Sequence, residues 1–472
     1  MHSLEFWLDP EASIAEVIQR GLGPVAAQAK ALLLAQCAED LLARGASIQE
    51  PVLACYCPGR LEVFGKHTDY AGGRSLIAAP DWGIVALARP LPNREVRLHS
   101  RQAGPDHIHL LEADTEAPDT WARYPVTACL RLAHNSERPL LGADLAFASD
   151  LPIAAGMSSS SALLTATLLL LMERNALAQD PPFARQLTSP ARWALFASCV
   201  ENGQSFGGLV GDRGVGTFGG SEDHTAMLCA RAGRMQQVGF GPLMLEREVT
   251  LDPEFVFVVA QSGVLAEKAR GARSDYNRLA LMVRTIADIA QAHAAELAMP
   301  PTLATTGSTG PEWIPTLLRH DPENAARLRP WLSRQGEGFF SADELLRRFD
   351  HFVLESETWI PALPDHWNAS TIDQVAGLTA LSTQAAETLL GNQVPATMAL
   401  AQALLAAGAH AASPFGAGFG GSVWGLVTRE QVPNLLGAMH TRRLTETAAP
   451  KGWGETAVVG LGPAAWVTPW RG

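Results

Sequence analysis

Cysteine is scarce in this chain: there are six among 472 residues, and no two form a C-x-x-C pair. That scarcity excludes a zinc-thiolate site and a disulfide framework, and the thiols are expected to be reduced and mostly buried. Basic runs are missing too. Lys and Arg number 36 against 48 Asp and Glu, a net charge of −12, and nothing resembles the basic clusters that grip a phosphate backbone. A nucleic-acid surface is therefore not expected. Long apolar stretches are also lacking: Ala162–Met172 is broken by Thr165 and Thr167 and falls short of the ~18 residues of a membrane span. The first residues, Met1 to Phe6, carry neither a basic segment nor an apolar leader. The expectation is a cytoplasmic protein with no membrane partner.

What is present is ordinary for an enzyme, with 47% apolar and 18% charged residues, and the length suggests two or three domains at about 100–200 residues each. Val25–Arg44 has helical spacing, with Pro24 at its start and Gly45 at its end. Val52–Phe64 and Arg74–Ala88 read as strands around a tight loop at Lys66–Gly73, and Arg94–Leu98, His107–Leu111 and Ala143–Ala148 as further strands. Phe255–Ala260 is a continuous apolar strand that opens a second domain, followed by a helix over Tyr276–Ala298. Met299–Pro315, rich in Pro and Gly, predicts a long surface insertion. Helices resume at Ala342–Glu355, Gln384–Leu390 and Val394–Ala407, and strands at Ser422–Val427 and Ala457–Gly460 flank a helix over Val432–Arg442.

Four consecutive serines, Ser158 to Ser161, follow Gly156 and lead into an apolar helix. A helix N-terminus leaves backbone N–H groups unpaired and its dipole favours negative charge, so the run reads as a phosphate cradle. One serine hydroxyl there is also suited to Mg2+, which takes oxygen ligands and few protein groups. The alternative is that the serines merely cap the helix.

Other glycine patterns are traps. Gly214–Gly219 and Gly416–Gly421 both spell G-x-G-x-x-G, but the first follows a polar loop and the second precedes a strand, whereas the dinucleotide fingerprint joins strand to helix. Gly59, Gly65 and Lys66 miss the P-loop spacing, and His67 stands where Ser or Thr is required.

Three segments fit together: Cys57-Pro-Gly-Arg-Leu-Glu-Val-Phe-Gly-Lys-His-Thr-Asp-Tyr-Ala-Gly-Gly73, the serine loop, and Ser413-Pro-Phe-Gly-Ala-Gly-Phe-Gly-Gly-Ser422. In that order they resemble the three motifs of the GHMP kinases (galactokinase, homoserine kinase, mevalonate kinase, phosphomevalonate kinase). The first resembles the galactokinase signature G-R-V-N-L-I-G-E-H-T-D-Y-N-G-G. Glu201, Gly220-Ser221-Glu222-Asp223-His224, Ser262-Gly263 and Tyr276-Asn277-Arg278 extend the likeness, which covers residues 50–280 and 400–427.

The resemblance implies an α+β fold of two lobes: residues 1–250 with a mixed sheet and the phosphate-binding serine loop, and residues 251–472, ferredoxin-like, with an insertion near 299–340. It implies ATP over the serine loop, with Gly156, Ser158, Ser159, Ser160 and Gly418 at the phosphates and Ser160 and Glu201 holding Mg2+. Asp223 is the implied catalytic aspartate, with Arg60 beside it, and the implied partner is a small sugar phosphorylated at its anomeric C1 hydroxyl. His67, Asp69, Tyr276 and Lys66 fall at the sugar.

Lys66 departs from the signature, which has a glutamate expected to bond the sugar near its C6 hydroxyl. A lysine offers donors only. It either pairs with an anionic sugar, such as a uronic acid or a sugar phosphate, or salt-bridges Glu62 or Asp69 and leaves galactose specificity intact. A non-catalytic sugar sensor is the alternative outside enzymes. Oligomeric state is not legible in the sequence.

Overall fold

Alternation along strand Pro51–Pro58 decides the N-terminal architecture. Seven of its eight residues are buried, because both faces are covered. Val52, Ala54 and Tyr56 pack on helix Pro24–Ala43 through Leu34, Cys37 and Leu41. Leu53, Cys55 and Cys57 point the other way, into the core shared with helix Ser159–Arg174.

The computed structural model describes residues 1–112, 116–152, 155–265, 272–298, 313–334, 339–445 and 453–469. Strands His2–Ser3, Pro51–Pro58, Gly83–Pro90, Ala143–Ser149, Glu95–Ser100 and Gly104–Leu110 lie side by side in that order. Glu95–Ser100 runs parallel to Ala143–Ser149 and the other pairs are antiparallel, so the sheet is mixed. Trp466–Val467 also pairs with Pro51–Pro58, which returns the end of the chain to the sheet that its beginning builds. A second, antiparallel sheet of Leu61–Phe64, Arg74–Ala78, Arg234–Phe240 and Leu243–Thr250 carries the signature loop between its first two strands.

The third sheet has the spatial order Ala411–Pro414, Ser422–Thr428, Phe255–Gln261, Thr456–Val459, all antiparallel. Helices separate its first strand from its second and its third from its fourth. In chain order this is βαββαβ with strand order 2-3-1-4, the ferredoxin-like arrangement expected for the C-terminal lobe.

The expected surface insertion needs correction. Residues 299–312 and 335–338 lie outside the described residues, but Trp313–His320 and Asn324–Leu332 are helices. Trp313, Ile314, Leu317, Leu328 and Leu332 are buried in one apolar core with helices Ala272–Ala292 and Ala342–Phe352, and Ala71 of the signature loop belongs to that core. Pro315 disguises the first of these helices in the sequence, yet proline is tolerated in a first helical turn. The inserted helices thus support the signature loop from below. Among the described residues no helix is long and apolar enough to cross a membrane. All six cysteines are free thiols and four are buried.

Candidate active site

The signature loop is held by backbone conformations that few residues adopt. Gly65 has φ +116°, and a Cβ there would lie 2.2 Å from Ser75 Oγ. Its N–H donates to Glu355 Oε1 at 2.9 Å. Two residues on, His67 sits at φ +58°, a strained position for a residue with a Cβ. Its ring secures it: Nδ1 is 2.7 Å from Tyr70 Oη and Nε2 is 3.0 Å from the carbonyl oxygen of Ala417. A carbonyl only accepts, so Nε2 carries its proton on that side. Tyr276 completes an aromatic group, 5.2 Å from the His67 ring and 6.0 Å from Tyr70.

Arg60, just before strand Leu61–Phe64, meets Asp223, in the first turn of helix Glu222–Cys229, with Nε 2.8 Å from Oδ1. Its Nη1 donates to the carbonyl oxygen of Gly156 at 3.2 Å, so one guanidinium joins the aspartate to the serine loop. Burial works against the Arg60 charge, but Asp223, Glu222 and Glu62 outweigh it and hold the guanidinium above its ordinary range. Ser161 Oγ lies 3.5 Å from Asp223 Oδ2. Asp69 accepts the N–H of Glu222 at 3.2 Å. Burial first, and then the Asp223 charge, raises its carboxyl above the usual value. Gly220 is required beside it, since a Cβ there would lie 2.3 Å from Asp69 Oδ2.

The serine helix begins at Ser159, and Ser158 takes the left-handed conformation at φ +59°. Ser158 makes no side-chain cap, and its Oγ is buried without a hydrogen-bond partner among the described residues. A buried hydroxyl left unbonded is costly, so the capping alternative does not account for the run. Gly156, φ +77°, abuts the closing glycine loop: a Cβ on Gly156 would lie 3.2 Å from the Phe415 carbonyl, and one on Gly416 2.9 Å from the Gly156 carbonyl. The close approach that these two glycines permit is of one loop to the other. Gly418 is turned elsewhere, its Cβ position 2.3 Å from the Asn392 carbonyl, and does not line the pocket, whereas Gly416 and Ala417 do.

Glu201, on helix Pro190–Asn202, is buried, and its Oε2 lies 3.2 Å from His224 Nε2 without the alignment of a hydrogen bond. Among the described residues no group of three or more His, Cys, Asp and Glu gathers as a metal site. One unsatisfied carboxylate oxygen and a serine hydroxyl nonetheless suit Mg2+, which takes its remaining oxygens from phosphates and water. The decoy Gly214–Gly219 packs on the end of helix Pro190–Asn202, with a Cβ on Gly214 placed 2.4 Å from the backbone carbonyl of Glu201.

Lys66 does not line the pocket. Its buried Nζ donates to Ser382 Oγ at 3.1 Å, and Ser382 Oγ donates in turn to Glu355 Oε1 at 3.1 Å. Two other acids do line it, Glu62 and Glu222. Ser75 Oγ donates to Glu222 Oε2 at 2.7 Å, and Arg60 Nε is 3.1 Å from Glu222 Oε1. Burial raises both carboxyls; Arg60 and Lys66 partly offset this at Glu62, while the Glu62 charge adds to it at Glu222. Both carboxyls stand at the wall of the same cavity. Sequence reasoning passed over Glu222, Tyr70 and Arg348, whose Nη2 donates to the His67 carbonyl at 2.5 Å. For Glu62 the available signal was a lone acid inside an apolar strand.

With this geometry in hand, comparison with known proteins is direct. Residues 45–90 match the galactokinase galactose-binding signature, and residues 123–189 the GHMP kinase N-terminal domain. A galactokinase of Chloroflexus aggregans is 26% identical over 82% of this chain and 87% of its own length. The Enterococcus faecalis galactokinase is 32% identical over 23% of this chain, and that of Roseiflexus sp. 29% over 47%. Those two matches span only 30% and 51% of the relatives' lengths. The crystal structure of Lactococcus lactis galactokinase complexed with galactose superposes with a TM-score of 0.70 at 18% identity, covering 92% of this chain and 99% of that one, a likeness of fold. The chain is thus similar to the GHMP kinases and, among them, to galactokinases.

Proposed function

We propose that the protein is an ATP-dependent sugar kinase that phosphorylates the anomeric C1 hydroxyl of galactose or a related sugar. The observation that carries this reading is the Arg60 bridge: one guanidinium bonded to Asp223 at 2.8 Å and to the carbonyl of Gly156 in the serine loop at 3.2 Å. It ties the carboxylate for the acceptor hydroxyl to the loop for the phosphates.

Asp223 accepts or orients the proton of the attacking hydroxyl, and Arg60 offsets charge on the transferring phosphoryl group. Ser158, Ser159 and Ser160, with the backbone at Gly156 and the start of the helix, bind the phosphates. Gly418 supports the closing loop through Asn392 rather than binding a phosphate. Ser160 and Glu201 would hold Mg2+, which when bound offsets phosphate charge. His67, Asp69 and Tyr276 border the sugar, Asp69 accepting from its hydroxyls. Lys66 bonds Ser382 and makes no salt bridge to Glu62 or Asp69 among the described residues, so that expectation is not met, and its position gives no support to an anionic acceptor either. The family likeness favours a cytoplasmic small-molecule enzyme.

ADP release measured over galactose, N-acetylgalactosamine, galacturonate, arabinose and heptose phosphates tests the reading. The expected product has lost its reducing end, as a glycosyl 1-phosphate must. A phosphorylated product that still reduces would overturn C1 transfer.

A further inference from the structure

The acceptor pocket holds more negative charge than phosphoryl transfer needs. Asp223 serves the attacking hydroxyl, Glu201 the cation and Asp69 the sugar hydroxyls; Glu62 and Glu222 have no part in that scheme, yet both line the cavity. Each is more than nine-tenths buried, and Glu62 Oε1 has no hydrogen-bond partner among the described residues. The Arg60 guanidinium is shared between Glu222 and Asp223, with the shorter contact to Asp223. Lys66 stands behind the cavity wall, on Ser382; its charge partly offsets burial at Glu62, but it does not line the cavity.

Resting on the kinase reading, we propose that the acceptor is an amino sugar, its ammonium on the carbon next to the attacked one and seated against Glu62 and Glu222. Position follows from the neighbours: Glu222 adjoins Asp223 in sequence and lies 3.1 Å from Arg60 Nε, so the pair flanks the reacting hydroxyl. Charge follows from the pair itself. In the free protein burial works against the charge on both carboxyls. An ammonium supplies the opposite charge that favours their ionised forms, with three donors, one of them for Glu62 Oε1. A hydroxyl brings one donor and no charge, and a sugar acid adds a like charge to the cluster.

Galactosamine, galactose, N-acetylgalactosamine and galacturonate, compared as acceptors at fixed ATP and Mg2+, test this. Galactosamine is expected to exceed galactose and N-acetylgalactosamine in kcat/KM by about ten-fold or more, the scale of one charge-assisted contact. Galacturonate is expected to be the poorest. Glu62→Gln is expected to bring galactosamine and galactose to near equality. Calorimetry of the wild-type protein in buffers of differing ionisation enthalpy is expected to register a proton released on binding galactosamine and none on binding galactose. Galactose used as well as galactosamine, or a preference untouched by Glu62→Gln, would overturn the inference and leave the kinase standing. If no sugar is phosphorylated, tighter binding of galactosamine with proton release sustains the pocket assignment and defeats only the transfer reading. Equal binding then defeats both.

Discussion

The two halves of the cleft are built from different materials. The phosphate half offers backbone N–H groups and hydroxyls, with Ser158 Oγ buried and unbonded. The acceptor half crowds Glu62, Asp69, Glu222 and Asp223 around the Arg60 guanidinium. Neutral dipoles suit a ligand that brings its own negative charge and a cation; ionisable groups suit proton handling and selection by charge. The polar anchors follow the same division. Serine loop and glycine loop meet through glycines that let backbones touch, whereas the signature loop is fixed by side chains from the helical segment after the insertion, Glu355 and Arg348 among them.

Substitutions can separate these halves. The largest effect is expected for Asp223→Asn, a loss of ~10²–10⁴-fold in kcat in steady-state assays. Binding of ATP, measured calorimetrically, should persist, because the serine loop is untouched. Lys66→Glu comes next. A further carboxylate beside Glu62 and Glu355, with the bond to Ser382 lost, is expected to destabilise the fold by ~3–5 kcal/mol in urea unfolding. An unchanged unfolding midpoint, with altered sugar preference, would return Lys66 to the acceptor site.

Gly418→Ala should be milder, costing about 1–3 kcal/mol through a positive φ and the Asn392 carbonyl. If KM for ATP rises with no loss of stability, Gly418 belongs to the phosphate half after all. The smallest effect concerns pH. Glu62 has a folded pKa above its ordinary 4.5, so the folded state holds a proton that the unfolded chain releases, and stability falls as pH rises from that value. The melting temperature of Glu62→Gln relative to wild type should therefore climb by a few degrees between pH 4.5 and neutrality.

The phosphate half was far more legible in the sequence than the acceptor half. A run of serines before an apolar helix is a local pattern, and local patterns survive without the fold: helix Ser159–Arg174 starts within three residues of the expected Ala162. Strand Glu95–Ser100 was similarly visible from its alternation, and Ala143–Ser149 and Phe255–Gln261 from their apolar runs. Trp313–His320 was not, since a Pro-rich approach and Pro315 masked an amphipathic turn whose partners are distant in the chain. Gly418 is ambiguous in the sequence because a positive φ demands glycine whether the neighbour is a ligand or Asn392.

The sequence by itself determined the family motifs, the order of the lobes and the residue types available for chemistry. These depend on neighbours in the chain and on spacing. Only the tertiary structure decided which charges face the acceptor. Lys66 and Glu62 stand four residues apart, yet the first turns to Ser382 and the second lines the cavity, because strand Leu61–Phe64 ends and the chain reverses at Gly65 between them. Glu62 and Glu222 stand 160 positions apart and reach one cavity only when two elements pack, and burial there is what raises both carboxyls.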